Sequence, residues 1–286
     1  MAVLLALLVV GIQVALTIPV AIADLVIGFG MHRPIPHLER QPIVIGCINV
    51  LAFSGAIALG LRLNRIRFRH AFPISGIPAM QAIGAAISLL GVAVLLSEVD
   101  NAFRFVLPPP KALTGLMKEL IASEQNAFSR VLLLVIIAPV TEELLFRGII
   151  LRGLLSRHRP AIAVVLTALL FAILHFNPWQ FLSALFLGMV LGWFYLRTGS
   201  VAMCIVGHSI ANGLVVIFSV LPWDIPGMTG TPDLTQVVFQ PWWLDVSGLV
   251  VLLLGLWLFR RATPVAIVEQ PGPPVLKNDA PSSSPQ

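Results

Sequence analysis

Apolar runs of about the twenty residues that a bilayer crossing requires recur along this chain, and they limit its fold more than any other feature. They fall near residues 3–29, 43–61, 77–97, 131–155, 161–175, 180–197, 200–221 and 242–259. As helices, most are long enough to cross a hydrocarbon core of about 30 Å at 1.5 Å per residue; the fifth is short. The sequence therefore predicts an all-α, polytopic transmembrane bundle of about eight spans. Of its 286 residues, 11% are charged, whereas a soluble domain carries about 25%. No large soluble domain is expected.

The net charge of +5 does not point to nucleic acid, because the basic residues lie in short loops between spans, where they set topology. Arg62, Arg65, Arg67 and Arg69 follow the second span, Arg152, Arg157 and Arg159 the fourth, Arg197 the sixth, and Arg260 and Arg261 the eighth. The opposite loops are poorer in Lys and Arg. The positive-inside rule then puts both termini in the cytoplasm of a multi-pass cell-membrane protein. Ala21-Ile22-Ala23 mimics a signal-peptidase site, but no Lys or Arg precedes a long first run, which reads as an anchor. Cys47 and Cys204 lie far apart in apolar segments and form no CxxC, arguing against a disulfide framework or a cysteine-based metal site.

We divide the chain into N-terminal spans at 1–107, a core at 108–261 and a disordered Pro/Ser-rich cytoplasmic tail at 262–286. Residues 108–128 place Leu113, Leu116, Met117, Leu120 and Ile121 at helical spacing, as in an interfacial amphipathic helix or a solvated loop helix. Asp24, near the end of the first span, is expected to face water.

Glu142, Glu143 and Arg147 interrupt the fourth run near its middle. Each costs roughly 2.5–3.5 kcal/mol at a helix centre unless it finds a partner or water. Glu143 and Arg147 are four apart, the favoured spacing of an ion pair. Glu142 points about 100° away from Glu143 around an α-helix of 3.6 residues per turn, so the two carboxylates divide their work. Glu143 clamps Arg147, and Glu142 is free to face a cavity, where a carboxylate shielded from water suits general-base chemistry. Pro139 removes a backbone hydrogen bond from the same helix.

His175 ends the fifth run and His208 lies within the seventh, with Asn212 one turn on. At 1.5 Å per residue, Glu142 lies about 17 Å from the outer end of its span, and His175 and His208 about 21 and 12 Å from the inner ends of theirs. All three come to similar depth. His208 and Asn212 share a face and offer the donors an oxyanion needs. Singly, each residue has a plainer role: a histidine or asparagine as glue between helices, Glu143–Arg147 as a structural pair, Glu142 as a proton relay. Gly188 and Gly192 form a GxxxG that lets helices approach closely.

These residues resemble the signature of the CPBP family of intramembrane proteases, which includes CAAX proteases and bacteriocin-processing enzymes and is also called Abi. Its motifs correspond here to Glu142-Glu143-Leu-Leu-Phe-Arg147, Phe171-x-x-x-His175 and His208-x-x-x-Asn212, in order on separate spans. The resemblance covers roughly residues 110–220. It implies hydrolysis of a peptide bond in a membrane-associated protein or peptide, by CAAX-type C-terminal or leader-peptide processing. It further implies that Glu142 and His175 activate water, that His208 and Asn212 stabilise the oxyanion, and that Glu143 and Arg147 support the site. Zn2+ remains an alternative by residue type, with Glu142, His175 and His208 as its ligands. The three lack the HExxH spacing of a predictable zinc site, which favours water activation without a tightly bound metal. Two other functions fit the same buried charges: a proton-coupled transporter, and a non-catalytic membrane adaptor of the bacteriocin-immunity type.

Overall fold

The computed structural model describes residues 1–31, 41–111, 114, 127–229 and 236–263, and all regular structure among them is helical. Six helices are long and apolar enough to cross a membrane. They are α1 (Ala2–Met31), α2 (Pro42–Asn64), α4 (Ala79–Val106), α7 (Pro178–Thr198), α8 (Val201–Val220) and α9 (Trp242–Ala262); a single helical turn, α3 (Phe68–Ala71), separates α2 from α4. The two remaining expected spans take unusual forms. The fourth lies within α5, residues 127–155, a helical rod with two stretches of wide π-turn. The fifth is α6 (Pro160–Ile173), whose 14 residues rise only about 21 Å and stop inside a 30 Å slab. The chain is a multi-pass membrane protein.

Local chemistry sets the helix ends. Pro160 and Pro178 start α6 and α7 with fixed backbone angles and no donor to lose. Asn177 caps α7 by accepting from the Trp179 N–H, and Ser200 caps α8 by accepting from Met203. Gly199, at a φ of 63°, closes α7 in the left-handed conformation glycine adopts without strain.

Rod α5 is the centre of the bundle. On one side its Phe146 and Ile149 pack with Leu5 and Val9 of α1, Phe53 of α2 and Phe171 of α6. On the other its Leu151 joins Leu89 of α4, Leu191 and Phe194 of α7, Met203 of α8 and Phe259 of α9. Leu249, Leu253 and Trp257 of α9 are exposed on the outer surface, as lipid-facing residues should be. Lipid is as apolar as leucine, so close packing and interhelical hydrogen bonds, rather than removal from water, hold these helices together.

Small residues supply that closeness. A Cβ at Gly188 would lie 3.0 Å from Ala168, and one at Gly192 would lie 2.8 Å from Val164, so the expected GxxxG seats α7 on α6. A second pattern was not read from the sequence. Gly84 and Gly91 of α4 and Gly248 and Gly255 of α9, each pair seven apart, bring these two helices together so tightly that a Cβ at Gly91 or Gly255 would overlap partner backbone.

One expectation is overturned: Asp24 is only 2% exposed. Helix α1 runs on to Met31, so Asp24 lies two turns inside it rather than at its end. Most of the proposed amphipathic helix at 108–128 and nearly all of the tail at 262–286 lie outside the described residues.

Candidate active site

The wide turns of α5 begin with Pro139. Within Leu132–Ile137 the backbone has π geometry, and the Ala138 N–H reaches back five residues to the Leu133 carbonyl. The next carbonyl in that pattern, on Leu134, would need the N–H of Pro139, which has none. Asn212 of α8 fills the gap: its Nδ2 donates to Leu134 O at 2.8 Å. Thr141 meanwhile donates its hydroxyl to Ile137 O at 2.8 Å. A second π stretch, Leu144–Leu151, follows at once, so Glu142 and Glu143 sit between two wide turns.

Glu143 and Arg147 are fully buried and paired at 2.7 Å, as their spacing predicts. Arg147 Nη2 donates to Gly188 O at 2.9 Å, and its guanidinium lies 5.3 Å from the centre of the Phe171 ring. The same oxygen, Glu143 Oε1, lies 2.9 Å from His208 Nδ1. A carboxylate paired with arginine can only accept, so Nδ1 carries the proton. The outward nitrogen of His208, Nε2, then donates only when the ring holds both protons.

Glu142 faces elsewhere. Its side chain keeps 17% exposure where that of Glu143 keeps none, and its Oε2 stands 3.9 Å from His208 Nε2. It lines a cavity of about 170 Å³ with His175, Phe146, Phe171, Gln13 and Asn49. The division of labour expected for the adjacent glutamates is therefore present in the geometry.

His175 is placed by the end of α6, where the last carbonyls lack intrahelical partners. Leu174 N bonds Leu170 O, His175 N bonds Ala172 O, and Phe176 N bonds Ile173 O. That leaves Phe171 O, which takes the Nδ1–H of His175 at 2.8 Å. In its neutral form a ring held this way presents a lone pair at Nε2, as a general base requires. Phe171 packs edge-to-face with both imidazoles, its ring centre 4.8 Å from that of His175 and 5.7 Å from that of His208. Four residues separate Phe171 from His175 because one residue supplies both the carbonyl and the ring.

Sequence reasoning thus named residues that the structure brings together, with one difference in grouping. Glu142 and His175 share the cavity; His208 adjoins Glu142 but does not line it, and Asn212 engages α5 backbone. The residues that sequence reasoning missed are Gln13 of α1 and Asn49 of α2, joined at 2.8 Å. Their signal was available: each is a lone carboxamide in an otherwise apolar span.

A metal was tested against these side chains. Among the described residues, no three His, Cys, Asp or Glu gather as ligands for an ion. His208 Nδ1 is engaged with Glu143, His175 Nδ1 with Phe171 O, and the Phe171 ring packs against both imidazoles. These bonds leave Nε2 of each imidazole and the Glu142 carboxylate as the remaining donors, and no step below passes through a metal.

Residues 124–214 match the family model described as type II CAAX prenyl endopeptidase Rce1-like. That match supports the CPBP/CAAX protease family for this segment. The matched stretch contains Glu142, Glu143, Arg147, His175, His208 and Asn212, and it ends within α8. The match makes this segment protease-like and leaves α1, α2, α4 and α9 outside it. No curated protein and no solved structure matches the chain.

Proposed function

We propose that this protein is an intramembrane endopeptidase that cleaves a membrane-associated protein or peptide, in CAAX-type C-terminal or leader-peptide processing. One observation carries the reading: Glu142 and His175, from different helices, line one cavity inside the bundle, a placement hard to explain by packing alone. The loop charges lead us to assign the protein to the cell membrane with both termini cytoplasmic.

A water in the cavity gives a proton to Glu142 while the lone pair of His175 Nε2 accepts its second hydrogen bond. The resulting hydroxide adds to the carbonyl carbon of the scissile bond, forming a tetrahedral oxyanion. Collapse breaks the C–N bond, and the proton held by Glu142 passes to the leaving nitrogen. The products are a carboxylic acid and an amine, which separate as carboxylate and ammonium once the remaining water proton moves to the amine, and no co-reactant beyond water is needed. The oxyanion is assigned to His208, which donates from Nε2 when its ring carries both protons, and to the second N–H of Asn212. Glu143 holds His208 in the required tautomer, and Arg147 holds Glu143.

Purified protein in liposomes should cleave a reporter bearing a tail or membrane-segment sequence, and Glu142→Ala should abolish that cleavage. Undiminished turnover by Glu142→Ala removes the assignment of the base.

A further inference from the structure

Gln13 and Asn49 line the same cavity as the proposed catalytic pair. They come from α1 and α2, packed side by side, and Gln13 Nε2 donates to Asn49 Oδ1 at 2.8 Å. A carboxamide offers two donors and one acceptor oxygen. After that single bond, Gln13 Oε1 and the Asn49 amide group retain hydrogen-bonding capacity within a cavity otherwise lined by Val9, Phe53, Phe146, Phe171 and Leu174.

An extended peptide offers a carbonyl oxygen and an N–H at each residue. Asn49 Nδ2 matches the former and Gln13 Oε1 the latter. A backbone held by these two amides lies in the same cavity as Glu142 and His175.

We infer that Gln13 and Asn49 bind the main chain of the substrate, so that α1 and α2 supply half of the substrate site. This rests on the endopeptidase reading above, and the experiment separates the two. The probe is a fluorescent reporter peptide of the kind used for cleavage, titrated against liposomes containing Glu142→Gln protein, which holds substrate without turning it over. Gln13→Met and Asn49→Leu keep side-chain bulk while removing the amides, so the van der Waals packing of α1 on α2 is retained.

Adding both substitutions to Glu142→Gln should weaken binding about tenfold, a loss consistent with about two peptide hydrogen bonds. In the otherwise wild-type protein they should raise KM by a similar factor while kcat changes less than threefold. Unchanged binding, or a fall in kcat at constant KM, overturns the inference, even with cleavage by wild type intact. The single exchange pair Gln13→Asn with Asn49→Gln, which preserves both amides, should recover most of the affinity; failure to do so also counts against a main-chain role. Absence of cleavage by wild type defeats the endopeptidase reading itself.

Discussion

Asn212 Nδ2 donates to Leu134 O at 2.8 Å, the carbonyl whose π-turn partner would be Pro139. A polar side chain on one helix thereby repairs a break in another. In lipid no water can do so, and the repair ties α8 to α5 immediately before the adjacent glutamates.

Asn212→Ala should therefore destabilise the protein by about 1–3 kcal/mol, the usual cost of an acceptor left without a partner away from water. Pro139→Ala restores an N–H near Leu134 O, so the double variant should be more stable than Asn212→Ala alone. Thermal unfolding in detergent checks this. If stability recovers in the double variant while kcat stays low, the second N–H of Asn212 serves the reaction as assigned.

Arg147→Leu leaves Glu143 as an uncompensated buried charge and should cost about 3–5 kcal/mol. Glu143→Gln combined with Arg147→Leu should cost less than Arg147→Leu alone, because no charge remains. Denaturant unfolding of the four proteins gives the coupling. Neither variant should cleave substrate well, since His208 loses its anchor.

Phe171→Leu keeps the carbonyl that orients His175 but removes the ring packed against both histidines. A misplacement of this kind should lower kcat roughly tenfold to a hundredfold, with little change in the helical circular-dichroism signal. A variant as active as wild type assigns the ring to packing alone.

Gly91→Leu or Gly255→Leu should separate α4 from α9, because either Cβ overlaps partner backbone. The protein should still insert into membrane yet lose its cooperative thermal transition. Gly153→Ala, where a Cβ meets nothing within 4 Å, should behave as wild type.

Incubation with 1,10-phenanthroline should leave the cleavage rate within about twofold, given that among the described residues no three His, Cys, Asp or Glu gather as ligands. A loss reversed specifically by added zinc contradicts that arrangement.

Much of this was legible in the chain because membrane spans carry a strong signal and charges within them stand out. The Glu143–Arg147 pair survived an unforeseen change of helix type. Four residues slightly exceed one α-turn and fall slightly short of a wider π-turn, so either geometry keeps the two side chains on one face. The π stretches themselves were hidden, since nothing in LLLVII or LLFRGIIL distinguishes them from α-helix. Asp24 was misjudged because the end of α1 was placed too early. Gln13 and Asn49 were passed over because uncharged amides are common helix glue; only the cavity sets these two apart.

The family match stops short of α1 and α2, yet these helices line the chamber in which Glu142 and His175 stand. Reactivity and selectivity then have separate addresses along the polypeptide. Two homologues alike in the matched segment need not accept the same cargo, and grafting one homologue's first pair of helices onto another should transfer preference while the hydrolytic machinery stays in place.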